Sequence, residues 1–513
     1  MNDTIPRGMQ TRPLAALTIA AVLASFFLCL GTAPLFDVDE GAFSQATMEM
    51  FQRGDFLSTY LNGVPRYDKP ILVYWLQAAC VLLLGPTEWA FRLPSAICAT
   101  LWCWLIFLFA RAQYNITVGF AAAACAATSL GVFIIGRAAT ADALLNLLIA
   151  AAMFSAWLYL QRGERKWLYG TFTAIGLGVL AKGPVAILVP GAVTLLFCLF
   201  RKDIKTWLRM VFDWRGIALF IAIAAPWYVV ILQKEGWAFV EGFIMKHNVQ
   251  RFSQPLQSHG GSLVYYFPVV LVAFLPHTGL FLRGWMKVRQ WWRDDLQCYL
   301  LLWFAFVFVF FSLSGTKLPH YVLYGMSGMF VLIGLQATQS PSRWWLAVPV
   351  VLLFAFLLAL PWALDTAAAR TSDAYYREAL GLIRVRAAYY IYIGLAALFV
   401  LWLVLQPRIE AAHKLAAAGA LAVASLAALV VPMLGAVQQP VKDVARGAHA
   451  RGFDVVMWGI NAPSFSVYYG KAVAIRTPRP GDFVITRARR LNELPPHETF
   501  YSRGGVALVR IGG

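Results

Sequence analysis

The chain has 513 residues, 60% of them hydrophobic and only 13% charged, with a mean hydropathy of +0.65. A soluble protein carries about twice that charged fraction, so the composition excludes a soluble globular enzyme and describes a polytopic membrane protein with one small soluble domain. The net charge of +18 does not call for nucleic acid, because the basic residues sit mostly between apolar runs, where they set topology and meet lipid headgroups. Cys80, Cys98, Cys103, Cys125, Cys198 and Cys298 lie in or beside apolar runs and form no CxxC pair, so neither a disulfide framework nor a thiolate metal site is expected.

The first apolar run, near 13–33, follows Arg7 and Arg12 and has no convincing small-residue cleavage site, so it reads as a retained signal anchor. The next stretch, 34–74, is far more polar. It holds Asp37, Asp39, Glu40, Glu49, Asp55 and Asp68, six of the 25 acidic residues. Ionisable groups beside membrane segments are costly and usually functional. A carboxylate that can deprotonate a hydroxyl, with a lysine (Asp68-Lys69-Pro70) that can hold a phosphate, suits a reaction on a membrane-borne anionic substrate. A solvated loop whose acids cap short helices fits the same charges. The segment 70–85, bounded by Pro70 and Gly85-Pro86, is short for a span and predicts a helix lying at the interface.

Further apolar runs occur near 90–110, 116–135, 143–160, 168–181, 184–200, 216–233, 263–282, 297–314, 320–337, 344–364, 387–406 and 415–435, about thirteen spans with the first. Basic residues crowd alternate short loops, among them Arg111, Arg162, Arg165, Lys166, Arg201, Lys202, Arg283, Lys287, Arg343, Arg408 and Lys414. The positive-inside rule puts these loops and the amino terminus in the cytoplasm. The acidic loop 34–70, the segment 137–142, Lys182, the loop 234–262, the segment 314–320, the loop 365–386 and the carboxyl terminus then share the outer face.

Asp142 opens a span after Arg137 and is expected to cap it or to pair with that arginine. In the loop 234–262, Trp237, Phe239, Val240, Phe243, Ile244 and His247 recur near helical spacing, which predicts an amphipathic surface helix. Its Lys246, His247 and Arg251 read as a phosphate clamp or as snorkelling cations. Gly315 and Pro319 break the chain between two apolar runs and leave Lys317, His320 and Tyr321 at the membrane edge, where irregular backbone lines a cavity; a hydrogen-bonded structural role also accounts for His320. After about residue 440, strand-length segments such as DVVMWGI and GVALVRI alternate with Gly and Pro. They predict a small α/β or mainly β domain, 440–513, after a transmembrane domain, 1–439, whose outer loop 34–89 carries the acidic motif. Arginines in this domain, such as Arg476 and Arg487, fit a soluble cap or a lid on lipid headgroups.

In order along the chain, FDVDEGAFSQATMEM, RYDKPILVYW, RAATADALLNLLI, LAKGPVAILVP, APWYVVIL, KHNVQRF with YYFPVVLVAFLP, SGTKLPHYVL and NAPSFSVYYGKAV resemble the bacterial membrane glycosyltransferases related to the aminoarabinose transferase of lipid A. These belong to the GT-C class, with protein O-mannosyltransferases as more distant relatives. The resemblance covers nearly the whole chain. It implies an all-α polytopic fold of thirteen transmembrane helices with a small periplasmic domain, in the bacterial inner membrane. It implies a sugar donor on polyprenyl (undecaprenyl) phosphate and an acceptor that is lipid A or another envelope glycan or protein. Asp39 of the DE motif would be the catalytic base, with Glu40 beside it. Lys69 and Arg251 would hold the donor's phosphate, joined by Lys182 and Lys317, while Tyr67, Asp142, His320 and Tyr321 would line the substrate cavity. Asp68 would bind a divalent metal at that phosphate; no other cofactor is implied, and a monomer is expected. Relatives often read DEGRYAE, whereas here Ala42 replaces the arginine and Gln45 the second acid. The alternative of a different class is a lipid-linked sugar flippase, but the charges gather at one face and the halves do not repeat. No P-loop or GxGxxG offers a nucleotide site.

Overall fold

An apolar chain in lipid must satisfy its backbone internally, and here it does so as helices. The computed structural model describes residues 7–250 and 261–512. In chain order, α1 (Arg7–Phe26) leads through an irregular turn to α2 (Asp39–Arg53), a short hairpin of β1 (Tyr60–Leu61) and β2 (Val64–Pro65), and α3 (Leu72–Leu84). The Asn62-Gly63 pair between the strands takes positive φ at both positions, 53° and 84°, as a two-residue hairpin requires. Helix α3 leaves Leu82, Leu83 and Leu84 exposed at its end.

The bundle continues with α4 (Glu88–Gln113), α5 (Ile116–Thr128), α6 (Leu130–Arg137), α7 (Asp142–Arg162), α8 (Arg165–Ala181), α9 (Val185–Phe200), α10 (Ile204–Val211) and α11 (Trp214–Glu235). The side chains of Thr87 and Asn115 cap α4 and α5 by accepting from Ala90 N and Val118 N. Small residues let helices approach closely: a Cβ on Gly334 would stand 2.7 Å from Ala122 N, and one on Gly419 would stand 2.4 Å from Thr128 Oγ1. The alanine-rich α5 is therefore the packing centre for helices Met326–Ala337 and Ala411–Ser425, and Ser25 of α1 donates to Ala127 O at 2.6 Å.

Among the described residues, seven helices are long and apolar enough to cross a membrane, or eight if α5 and α6, bent by 65°, count as one span. The protein is a multi-pass membrane protein. The larger number of apolar runs in the sequence reflects segments that fold as short or broken helices. Run 184–200 is the 16-residue α9. Run 263–282 splits into Tyr266–Ala273 and Thr278–Trp285, and run 320–337 begins with a tight turn, Pro319–Gly325, before Met326–Ala337. The loop after α11 does form the expected helix, wound wide over Val240–Gln250.

The C-terminal segment forms a four-stranded sheet of β3 (Val455–Met457), β4 (Phe483–Arg487), β5 (His497–Arg503) and β6 (Val506–Ile511), in the order β3-β4-β6-β5, with only the β3–β4 pair parallel. Alternation puts Val484 and Val509 on one face, with Val456 and Ile511. Ile485 and Leu508 face the other way, against Val441, Val444 and Ala448 of helix Gln439–Ala450 and Phe465 of helix Pro463–Tyr469.

Candidate active site

The site forms where the loop before α2 meets the ends of α6, α7 and α8. Arg92 of α4, only 3% exposed, organises it. Its guanidinium donates to the carbonyls of Leu30, Ala33 and Pro34 at 2.7–2.9 Å and to both carboxylate oxygens of Glu40 at 2.9 and 2.7 Å. Glu40 also accepts from Phe36 N at 2.9 Å and Ala139 N at 2.8 Å. Burial alone would raise the Glu40 carboxyl, but the Arg92 charge and these hydrogen bonds hold it below its ordinary value. With both oxygens engaged, Glu40 anchors α2 and also lines the larger cavity beside Asp39.

Asp39 is the opposite case. Its carboxylate is exposed and makes no hydrogen bond or ion pair among the described residues. It lines a cavity of about 640 Å³ with Asp37, Thr140, Asp142 and His320, walled by Leu130, Ile134, Val269, Val272 and Leu323. Asp37 accepts from Ser464 N at 2.9 Å and Ser464 Oγ at 2.5 Å. Burial pushes its carboxyl up to about 7, against the pull of those two bonds.

A second cavity, of about 300 Å³, lies across a thin partition. Asp68, Lys69, Lys182, His247, Tyr321 and Tyr324 line its polar end, and Val185, Leu188, Ile244, Phe310 and Phe311 its apolar wall. The partition is a hydrogen-bonded triad: Lys182 Nζ donates to Asp142 Oδ1 at 2.5 Å and to Tyr324 Oη at 2.7 Å, and Tyr324 Oη donates to Asp142 Oδ1 at 3.1 Å. His320 Nε2 stands 3.6 Å from the same oxygen. Asp142 therefore pairs with Lys182 and not with Arg137, which donates to the carbonyls of Ser25 and Leu28, each at 2.8 Å.

Asp68 sits among basic side chains. His247 Nε2 is 2.8 Å from Oδ1, and Arg66 Nη2 is 3.3 Å from Oδ2. Burial would raise this carboxyl, but His247, Arg66 and Lys69 hold it well below the usual range. The Lys69 ammonium donates to Asp68 O at 3.0 Å.

Asp39, Glu40, Asp68, Lys69, Asp142, Lys182, His320 and Tyr321 thus gather around two adjoining cavities. Two expected residues do not line either one. The Lys317 ammonium folds back onto Ser314 O at 2.6 Å, and the Tyr67 hydroxyl donates to Glu235 at 2.9 Å. Arg251 lies outside the described residues. Sequence reasoning passed over Arg92, Arg66, Tyr324 and Ser464. Arg66 and Tyr324 stand inside or beside motifs it read, RYDKP and HYVL. Arg92 was a lone charge in an apolar run, a recognisable signal. Ser464 carried none.

Paired cavities at one edge of a helical bundle, with a small sheet domain packed against them, make this a protein of the GT-C fold. The fold is similar to that of ArnT from Cupriavidus metallidurans, solved bound to undecaprenyl phosphate, at a TM-score of 0.81 over 97% of each chain and 19% identity, and to the apo state of the same protein at 0.80. In sequence the chain is 30% identical over 363 residues to the undecaprenyl phosphate-alpha-4-amino-4-deoxy-L-arabinose arabinosyl transferase of Yersinia enterocolitica, covering 66% of this chain and 64% of that protein. It is also 30% identical over 341 residues to the transferase of the same name from Yersinia pestis, covering 63% and 60%. The matched region therefore spans less than two thirds of these relatives' length. The model of the dolichyl-phosphate-mannose-protein mannosyltransferase family matches residues 68–229. The chain shares the fold of ArnT, and over about two thirds of its length it is similar in sequence to these arabinosyl transferases.

Proposed function

We propose that this protein is an inverting glycosyltransferase that moves a sugar, an aminoarabinose-like pentose or a hexose or uronic acid, from polyprenyl phosphate to lipid A or another envelope acceptor. The observation that carries this reading is the division of labour between the two cavities. One joins cations to an apolar wall, which suits a phosphate on a lipid tail. The other holds an unpaired carboxylate, which suits an acceptor hydroxyl.

Lys69 and Lys182 match the charge of the phosphate, and Tyr321 and Tyr324 flank it. Charge compensation at the leaving group is worth most in a site walled off from water. An acceptor oxygen in the larger cavity attacks the anomeric carbon from the face opposite the phosphate. The new C–O bond forms as the sugar–phosphate C–O bond breaks, and the phosphate leaves with the electron pair. Asp39 takes the hydroxyl proton, and the configuration at the anomeric carbon inverts. Glu40 and Arg92 hold the loop that presents Asp39.

Among the described residues no group of three or more His, Cys, Asp or Glu side chains comes together to hold a metal. Asp68 and His247 offer one carboxylate and one imidazole, which fits a divalent cation completing its shell with the donor's phosphate oxygens. A cation there would offset phosphate charge. The basic loops support a cytoplasmic amino terminus, with the site and the C-terminal domain on the periplasmic side of the inner membrane.

The match to the protein mannosyltransferase family model favours a second reading, in which the acceptor is a protein hydroxyl. Full-length protein in lipid nanodiscs, given labelled polyprenyl-phosphate sugar with lipid A or an acceptor peptide, tests both. Transfer of label to either acceptor with inversion supports the enzyme and selects the acceptor. Movement of the donor across the bilayer without transfer would replace it with a flippase.

A further inference from the structure

The Asp39 carboxylate makes no hydrogen bond or ion pair among the described residues, so other groups must set its position. One hold comes from the bundle, through Arg92 and Glu40. The other comes from the C-terminal domain. Helix Pro463–Tyr469 lies along α2, and the backbone N–H and the hydroxyl of Ser464 both donate to Asp37. Leu35 N donates to Tyr468 Oη at 2.7 Å. The same Tyr468 hydroxyl donates to Glu88 at 3.1 Å, and Glu88 is also paired with Lys442 of the same domain. Val467 completes an apolar cluster with Leu35, Phe91 and Ala139. The fit is close enough that a Cβ on Gly41 would stand 2.2 Å from Asp37 Oδ1 and 2.5 Å from Ser464 N.

The segment 35–37, immediately before Asp39, is therefore pinned at alternate residues by a domain more than 400 residues away in sequence. We propose that Ser464 and Tyr468 are positioning residues for Asp39, so that the C-terminal domain sets where the proton acceptor stands and is not merely a cap over the site. A base displaced by about 1 Å can lose about a hundredfold in rate while substrate binding persists. The inference rests on the reading of Asp39 as the base.

The test uses the full-length protein in nanodiscs with three variants, Ser464→Ala, Tyr468→Phe and Gly41→Ala. The first two each delete one oxygen, and the third wedges the loop from the domain without removing any polar group. Two readouts are needed: hydrogen exchange of peptides covering 34–48, and steady-state transfer from a polyprenyl-phosphate sugar. Exchange in this segment should quicken by about tenfold, the equivalent of one lost hydrogen bond. The kcat should fall by about ten- to a hundredfold while KM for the donor stays within about twofold, because the phosphate is held in the other cavity. Exchange unchanged in all three variants would overturn the contact, and quickened exchange with wild-type kcat would overturn the positioning role. A raised donor KM at unchanged kcat would also refute it. If Ser464→Ala fails to fold, Tyr468→Phe decides alone, since Phe keeps the shape. A wild type that transfers nothing would sink the transferase reading and this inference together, and is told apart from the other failures because in those the wild type still turns over.

Discussion

Glutamine at position 40 and asparagine at position 39 should fail in opposite ways. Glu40 is 5% exposed and accepts four hydrogen bonds, one from Arg92 and one from a backbone N–H at each oxygen. Glutamine keeps the shape but turns one oxygen into an NH2 group. Whichever oxygen is replaced, the NH2 group meets one guanidinium N–H and one backbone N–H, so both of those bonds are lost. A bond to a charged group is worth about 1.5–3 kcal/mol, and an orphaned buried N–H costs about 1–3 kcal/mol. Together these approach the 3–5 kcal/mol typical, roughly, of breaking a buried ion pair from one side. Arg92, itself buried, is left without its counter-charge. Asp39→Asn removes no native bond and should change stability by no more than about 0.5 kcal/mol, while turnover falls by about 10²–10⁴-fold. Thermal unfolding in nanodiscs, paired with turnover per folded molecule, reads the two effects separately. A Glu40→Gln protein as stable as wild type but inactive, beside an active Asp39→Asn, would reverse the roles and refute the reasoning.

Lys182→Met should destabilise by about 3–5 kcal/mol, because Asp142 loses the cation that compensates its burial, and should raise donor KM in whatever fraction folds; Lys182→Arg should recover much of the stability. Asp37 is raised from 3.8 to about 7 on folding. Its contribution is therefore complete below the unfolded value and lost as pH rises to about 7, so thermal stability should fall between roughly pH 4 and 7 and level off above that in the wild type, and fall less in Asp37→Asn. Removal of divalent ions should weaken donor use if Asp68 and His247 share a cation with the phosphate. Unchanged donor KM after exhaustive chelation, checked by elemental analysis of the protein, would assign the pair to a direct ion pair alone.

What the sequence made legible was local. Asp68 and Lys69 adjoin, and Gly315 and Pro319 break a run within a few residues, so adjacency alone placed them at the membrane edge. The partners that give these residues their roles are remote. Asp142 finds Lys182 across two helices, at a separation of 40 residues, and Asp37 finds Ser464 at 427. Nearness in sequence offered Asp142 a cap on its own helix or Arg137 as a partner, but its side chain makes no cap hydrogen bond and Arg137 serves the carbonyls of α1 and its turn. It misled again at Lys317, whose position promised a cavity but whose chain turns back three residues to a carbonyl. Span counting from hydropathy found the apolar runs but not their breaks, because a Pro or Gly inside a run lowers mean hydropathy too little to show.

The breaks in the helices and the charges at the site belong to one device. Wherever a helix stops at the membrane edge it strands backbone groups that water does not reach, and each must find a partner. After α1, the carbonyls of Leu30, Ala33 and Pro34 are taken by Arg92. Before α2 and after α6, the N–H groups of Phe36 and Ala139 are taken by Glu40. In the break at 314–325, Ser314 O is taken by Lys317, Leu318 O by Tyr266 and Tyr324 O by Trp303. The irregular backbone that opens the cavities thus also supplies the hydrogen bonds that make buried charge tolerable there. Once those bonds are assigned, the acidic side chain left with no structural task in the larger cavity is Asp39, and that remainder, more than its place in a motif, marks it as the group available for chemistry.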